Sequence, residues 1–327
     1  MFKRMRHVLA ASALLGGALV SGQAQAAGQE LNFGIISTES SQNLKAMWDP
    51  FIADMSKQTG LKVNAFFAPD YAGIIQGMRF NKVDVAWYGN KAAMEAVDRA
   101  NGEIFAQTVA ANGSEGYYSL VVVHKDNPVS TIDDMLAKAG ELTFANGDPN
   151  STSGYLVPGY YVFAKNNADP SRIFKRTLNG SHEVNALSVA NKQVDVGTFN
   201  SEGMERLQET APDKAAQLKV IWTSPLIPSD PMVWRKGLDD GAKERIRTFF
   251  MTYGDQPAEQ QVLTGLQWAK FKPSDDDQLL PIRQLELFKK RTEVANGNLK
   301  ESDKAAQLKI LDEQLAQLEQ RMAASAS

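Results

Sequence analysis

Short apolar runs alternate with longer amphipathic stretches from residue 31 onward. Residues 31–37 read as a buried strand, and residues 43–57 as an amphipathic helix ended by Gly60. A second apolar run covers 61–67, and the turn Pro69-Asp70-Tyr71-Ala72-Gly73 opens a helix reaching about residue 81. Residues 83–87 and 91–100 supply another strand and another helix. Strands alternating with helices imply a parallel α/β sheet, in which ligands lie beyond the C-terminal ends of the strands.

The same unit occurs twice. In the first copy, Tyr71-Ala72-Gly73 opens a helix that ends in Asn81-Lys82, followed by Val83-Asp84-Val85 and the exit Ala86-Trp87-Tyr88-Gly89-Asn90. In the second, His182-Glu183-Val184 opens a helix ending in Asn191-Lys192-Gln193, followed by Val194-Asp195-Val196 and Gly197-Thr198-Phe199-Asn200. A repeated order of helix, strand and polar exit indicates two lobes. Residues 117–127 and 218–234 read as the crossovers between them. Lobe two then spans 128–224, and lobe one comprises 27–124 together with 232–327. Beyond Asp239 the chain is helical, ending in a stripe of Leu308, Leu311, Leu315, Leu318 and Met322. Two heptads are too few to argue for a coiled coil, so the stripe suits a helix packed along its own domain, with a homodimer contact as the alternative.

Lys3, Arg4 and Arg6 precede an apolar run over residues 8–20 that closes on Ala24-Gln25-Ala26. This pattern is a secretory signal covering residues 1–26, too short to be a comfortable membrane span. Its removal takes the formal charge from −3 to −6 by losing three cations. A negative mature chain argues against nucleic acid or anionic membrane as the main partner. Cysteine is absent, which excludes disulfides, thiolate chemistry and a lipidated leader, and points to the periplasm of a two-membrane bacterium.

The polar turn Asp148-Pro149-Asn150-Ser151-Thr152-Ser153-Gly154 separates an apolar run from the stretch that begins at Tyr155. Read as strand, loop and helix start, it places three hydroxyls beside unpaired N–H groups, a cradle for a tetrahedral oxyanion. An ordinary Ser/Thr helix cap is the plainer reading of this stretch taken alone. No lysine follows it and its glycines do not fit a nucleotide loop, so ATP is not expected.

The mature chain holds two histidines, His124 and His182, without a zinc helix or a nucleophile elbow. Asp275-Asp276-Asp277 reads as solvated loop, and no nucleophile, base and orienter assemble. Neither enzyme chemistry nor a metal or cofactor is expected. A binding cleft accounts for more residues. Tyr71 and His182 occupy matching helix starts and can donate to an oxyanion, as can Tyr117, whereas Tyr118 faces the other way. Glu202 and Asp230 flank the same cleft, and an acidic pair opposite an oxyanion cradle suits a zwitterion.

Four long strings carry a family resemblance: Leu31-Asn32-Phe33-Gly34-Ile35-Ile36-Ser37-Thr38-Glu39, residues 66–80 from Phe66-Phe67-Ala68-Pro69 onward, residues 147–154, and residues 226–236 containing Ile227-Pro228-Ser229-Asp230-Pro231. They resemble the periplasmic phosphonate-binding protein of ABC-type phosphonate importers. The resemblance implies a two-lobed type II periplasmic-binding-protein fold with the ligand between the lobes, a C-terminal helical extension, and delivery to an inner-membrane permease. It also implies phosphonate oxygens held by Tyr71, Tyr117, Ser151, Thr152, Ser153 and His182, and the amino group of 2-aminoethylphosphonate held by Glu202 and Asp230. A phosphate or phosphite binder, a receptor-only sensor and a periplasmic hydrolase are the other readings; the acidic pair is what separates the first of these.

Overall fold

The computed structural model describes residues 29–325; the expected secretory signal lies outside the described residues. Among the described residues, thirteen strands form three sheets. In chain order they are β1 (Glu30–Ile35), β2 (Lys62–Phe66), β3 (Val85–Trp87), β4 (Gly102–Ala110), β5 (Gly116–Tyr117), β6 (Ser119–His124) and β7 (Thr143–Gly147). The remainder are β8 (Arg176–Gly180), β9 (Val196–Asn200), β10 (Leu218–Thr223), β11 (Ile227–Pro228), β12 (Pro231–Arg235) and β13 (Trp268–Pro273).

The first lobe is built on the order β13-β4-β12-β3-β1-β2. β1 pairs in parallel with β2 and β3 because the helices Ser41–Thr59 and Tyr71–Arg79 carry the chain back over the sheet between them. Gly60 stops the first of these helices at φ 68°, where its N–H bonds to Ser56 O. Aromatic rings fill the core: Trp48 and Phe51 meet edge to face at 5.6 Å, and Phe105 stacks on Trp234 at 4.2 Å.

The second lobe follows the order β10-β6-β9-β7-β8. Its pairs β7/β8 and β7/β9 are parallel, while β6 runs antiparallel to both β9 and β10. This moves a boundary. β6 and β10 lie within the stretches expected as crossovers, and β6 within the span 27–124 assigned to lobe one, yet both are strands of the second sheet. The switch occurs at Tyr118, which is 39 % exposed between buried Tyr117 and Ser119 and donates its N–H to Ser201 Oγ at 3.0 Å. An apolar run reads as one strand, because its pattern does not say which neighbour each part pairs with. What joins the lobes is the short pair β5/β11. A Cβ at Gly116 would lie 1.9 Å from Ile227 O, so the linking backbones pass each other closer than any side chain would permit.

The C-terminal extension is a helical pair, Leu280–Asn296 and Glu301–Ser325. Leu315 and Leu318 of the stripe are buried and Leu308, Leu311 and Met322 half-buried within the chain. The ion pairs Arg291–Asp312 and Arg321–Asp277 fasten the last helix to its own chain. Leu315 and Leu318 are therefore packed along their own chain, the first reading of the stripe, while the other three keep part of their surface, and the homodimer alternative is not supported. Asp276 accepts the Ile104 N–H at 2.9 Å and Asp275 caps a short 3-10 turn, so this acidic run braces the fold.

Candidate functional site

The cradle forms where β7 ends. Asp148 turns the chain by accepting the Asn150 N–H at 2.7 Å, and Ser151 caps the next turn by accepting the Gly154 N–H at 2.9 Å. The helix that follows, Thr152–Leu156, is π-wound where an α-helical start was expected: Leu156 N reaches back to Ser151 O at 3.1 Å. Pro158 follows and has no N–H to close an α-type bond. A Cβ on Gly147 would sit 2.5 Å from Gly154 Cα, so both glycines let strand end and helix start touch.

Ser151 and Ser153 turn their hydroxyls toward His182, each 3.3 Å from Nε2. Thr152 points elsewhere. Its hydroxyl accepts the Lys91 N–H at 2.9 Å, tying the second lobe to the first. His182 opens the helix His182–Ala190, is 6 % exposed, and leaves Nδ1 without a partner. Burial, with Arg206 adding to it, pushes its pKa down to about 4, so the imidazole is neutral and carries one ring N–H. His124, by contrast, accepts the Asp126 N–H at 3.1 Å and serves its own turn.

The first lobe supplies phenols. Tyr71 opens the helix Tyr71–Arg79 behind the Asp70 cap, and its N–H reaches Asp148 Oδ2 at 3.2 Å across the cleft. Burial first, then the charges of Asp148 and Asp230, hold its hydroxyl protonated as a donor. Tyr117, at the lobe junction, donates to Asp230 Oδ1 at 3.0 Å. Asp230 stands between β11 and β12, its backbone oxygen taking the Thr108 N–H at 3.0 Å.

The two acids are held against their charge. Burial, and then the charge of Glu202, push Asp230 well above the usual carboxylate range. The Trp87 indole N–H faces Asp230 closely enough to favour its charge, without a hydrogen bond of its own. Glu202 sits in the first turn of the helix Ser201–Thr210, capped by Asn200. Its surface is only partly covered, yet the crowding around its carboxyl raises the pKa to about 7 against the pull of Arg206. The charge of Glu202 acts on Asp230, so the two carboxyls resist being ionised together without a cation.

One cavity of about 310 Å³ is lined by Tyr71, Tyr117, Ser151, Ser153, His182, Glu202 and Asp230. The structure therefore gathers seven of the eight side chains named from the sequence, Thr152 excepted. Sequence reasoning missed Thr38, Glu39, Trp87, Glu183 and Arg206, which share the cavity wall. Trp87 and Thr38 could have been found, since they stand at the C-terminal exits of β3 and β1. Arg206 lies one helical turn beyond Glu202 on the same helix, a spacing that brings side chains together.

A family model described as an ABC transporter, phosphonate, periplasmic substrate-binding protein matches residues 33–279. The chain belongs to this family. It is 63 % identical to the phosphonates-binding periplasmic protein of Escherichia coli K12 over 290 residues, covering 88 % of this chain and 86 % of that one. A crystal structure of a binding-protein component of an ABC phosphonate transporter from Pseudomonas aeruginosa superposes with a TM-score of 0.91 at 70 % identity, over 92 % of this chain and all of that one. A binding protein from Prochlorococcus marinus solved with methylphosphonate shares the fold at TM-score 0.70 and 22 % identity, over 79 % and 97 % of the two chains. As a family member the protein is a periplasmic, two-lobed, type II binding component of a phosphonate importer and not an enzyme. No helix among the described residues is long and apolar enough to cross a membrane.

Proposed function

We propose that this phosphonate-binding protein takes 2-aminoethylphosphonate between its lobes, closes on it, and presents the closed form to an inner-membrane ABC permease after a leader spanning residues 1–26 directs export. The observation that carries the ligand is the placement of Glu202 and Asp230 on the same cavity as a neutral donor set. Ser151, Ser153, Tyr71 and the single N–H of His182 donate to the phosphonate oxygens, and Tyr117 holds Asp230 in place. Thr152 contributes through the lobe-to-lobe contact with Lys91. The ammonium lies between the two carboxyls and supplies the cation that lets both ionise. Each end of the ligand touches residues of both lobes or of their junction, so binding favours the closed arrangement.

Calorimetric titration of the purified protein with 2-aminoethylphosphonate, methylphosphonate and phosphate tests this. Tightest binding is expected for the aminated ligand. Asp230→Asn and Glu202→Gln should each weaken it by about 2–3 kcal/mol while changing methylphosphonate affinity by under about 1 kcal/mol. Phosphate binding best, with both variants matching wild type, would remove the amine clamp and leave the family membership standing.

A further inference from the structure

The helix Ser41–Thr59 of the first lobe, 19 residues long, starts beside the cavity and has no acidic residue in its first turn. A helix of this length gathers partial positive charge at its N-terminus, which a nearby carboxylate stabilises. Here the carboxylate comes from the other lobe. Glu183 Oε2 accepts the Ser40 N–H at 2.7 Å, Oε1 accepts from Asn43 Nδ2 at 2.6 Å, and the Glu183 N–H donates to Thr38 O at 3.2 Å. A second contact grips the same segment: Arg206 bridges to Glu39 at 2.5 Å and to Gln267 Oε1 at 2.9 Å. Residues 38–43 of the first lobe are thus held at two points by the second.

We infer that Glu183, which takes the N–H of Ser40, the residue capping this helix, is a latch supplied across the cleft that with Arg206 sets how long the closed complex lasts whichever phosphonate it contains. Three features support this. All three partners of Glu183, Thr38, Ser40 and Asn43, belong to the opposite lobe, so the contact exists only where the lobes meet. Glu183 follows His182 in the chain, so a ligand that fixes the imidazole also fixes the start of the helix that carries the latch. And Glu183 reaches backbone and amide groups of the first lobe, none of which distinguishes one ligand from another. A contact present only in the closed state multiplies the affinity of every ligand that closes the protein by the same factor.

The inference rests on the lobe closure proposed above and is tested by comparing rates within each ligand. Stopped-flow fluorescence of the full protein, using the cavity tryptophans Trp48, Trp87 and Trp268, would follow methylphosphonate and 2-aminoethylphosphonate. In Glu183→Ala, release of both ligands should quicken by about tenfold, with association altered by less than about threefold, and Glu183→Gln should fall between. Asn43→Ala, which trims the cavity wall at one partner of Glu183 and leaves Tyr71, Ser151, Ser153, His182, Glu202 and Asp230 in place, should quicken release of both by about threefold and serves if Glu183→Ala does not fold. Unchanged release rates, or acceleration for one ligand alone, would overturn the latch. A wild type that prefers methylphosphonate would remove the amine clamp instead, without touching the ratio that tests the latch.

Discussion

The two copies of the helix-strand unit are the same scaffold carrying different chemistry. Tyr71 precedes Asp84 by 13 residues, and His182 precedes Asp195 by the same interval. In both, the helix is followed by one residue in the left-handed region at the same register, Asn81 at φ 57° and Lys192 at φ 58°. Each aspartate then ties its own strand to the neighbouring one: Asp84 Oδ2 accepts the Asn32 N–H at 2.9 Å, and Asp195 Oδ2 accepts the Thr143 N–H at 2.8 Å. β3 and β9 run parallel to the strands so held, β1 and β7. The difference is confined to helix starts and strand exits. The first copy offers a phenol and the neutral exit Trp87-Tyr88-Gly89; the second offers an imidazole and an exit leading to Glu202. Two matched frames with unlike ends present unlike groups to one cleft.

The shared scaffold can be broken most strongly at its aspartates. Asp84 also receives the Arg235 Nε–H at 2.7 Å, so Asp84→Ala leaves a partly buried guanidinium and a strand N–H without partners. Urea unfolding of the unliganded protein should show a loss of about 3 kcal/mol. Among the described residues the Asp195 carboxyl meets no cation, only the N–H and hydroxyl of Thr143, and Asp195→Ala should cost about 2 kcal/mol. Equal losses would mean that Arg235 adds nothing to the first frame.

A smaller effect separates the unlike exits. Because the Glu202 pKa is raised from 4.5 to about 7, the folded protein binds that proton more tightly than the unfolded chain. The associated stability is full below pH 4.5, declines between 4.5 and 7, and is lost above. Glu202→Gln should therefore melt like wild type at pH 4 and be more stable at pH 8 by about 1 kcal/mol, a reduced figure because water reaches part of the side chain. No gain at pH 8 would mean that the carboxyl is solvated.

Local signals made much of this legible. Asp70 and Ser181 cap their helices next to the ligand residues, Gly60 ends a helix, and the hydroxyl run lies at the end of β7. What sequence could not reveal is contact between residues far apart in the chain. Arg206 reads as a surface helix charge until Glu39 meets it, and Glu183 as an ordinary first-turn acid of its own helix until it meets the start of another. Thr152 shows the converse: composition puts it among its serine neighbours, but the turn directs its hydroxyl to Lys91. The placement of β6 depended likewise on its partners, which an apolar run does not encode.

The most direct test of the central claim is a crystal structure of the protein with 2-aminoethylphosphonate. The ammonium nitrogen is expected within about 3.2 Å of a carboxyl oxygen of both Glu202 and Asp230, with the phosphonate on Ser151, Ser153, Tyr71 and His182. A ligand lying the other way round, or one whose ammonium faces solvent, would contradict it.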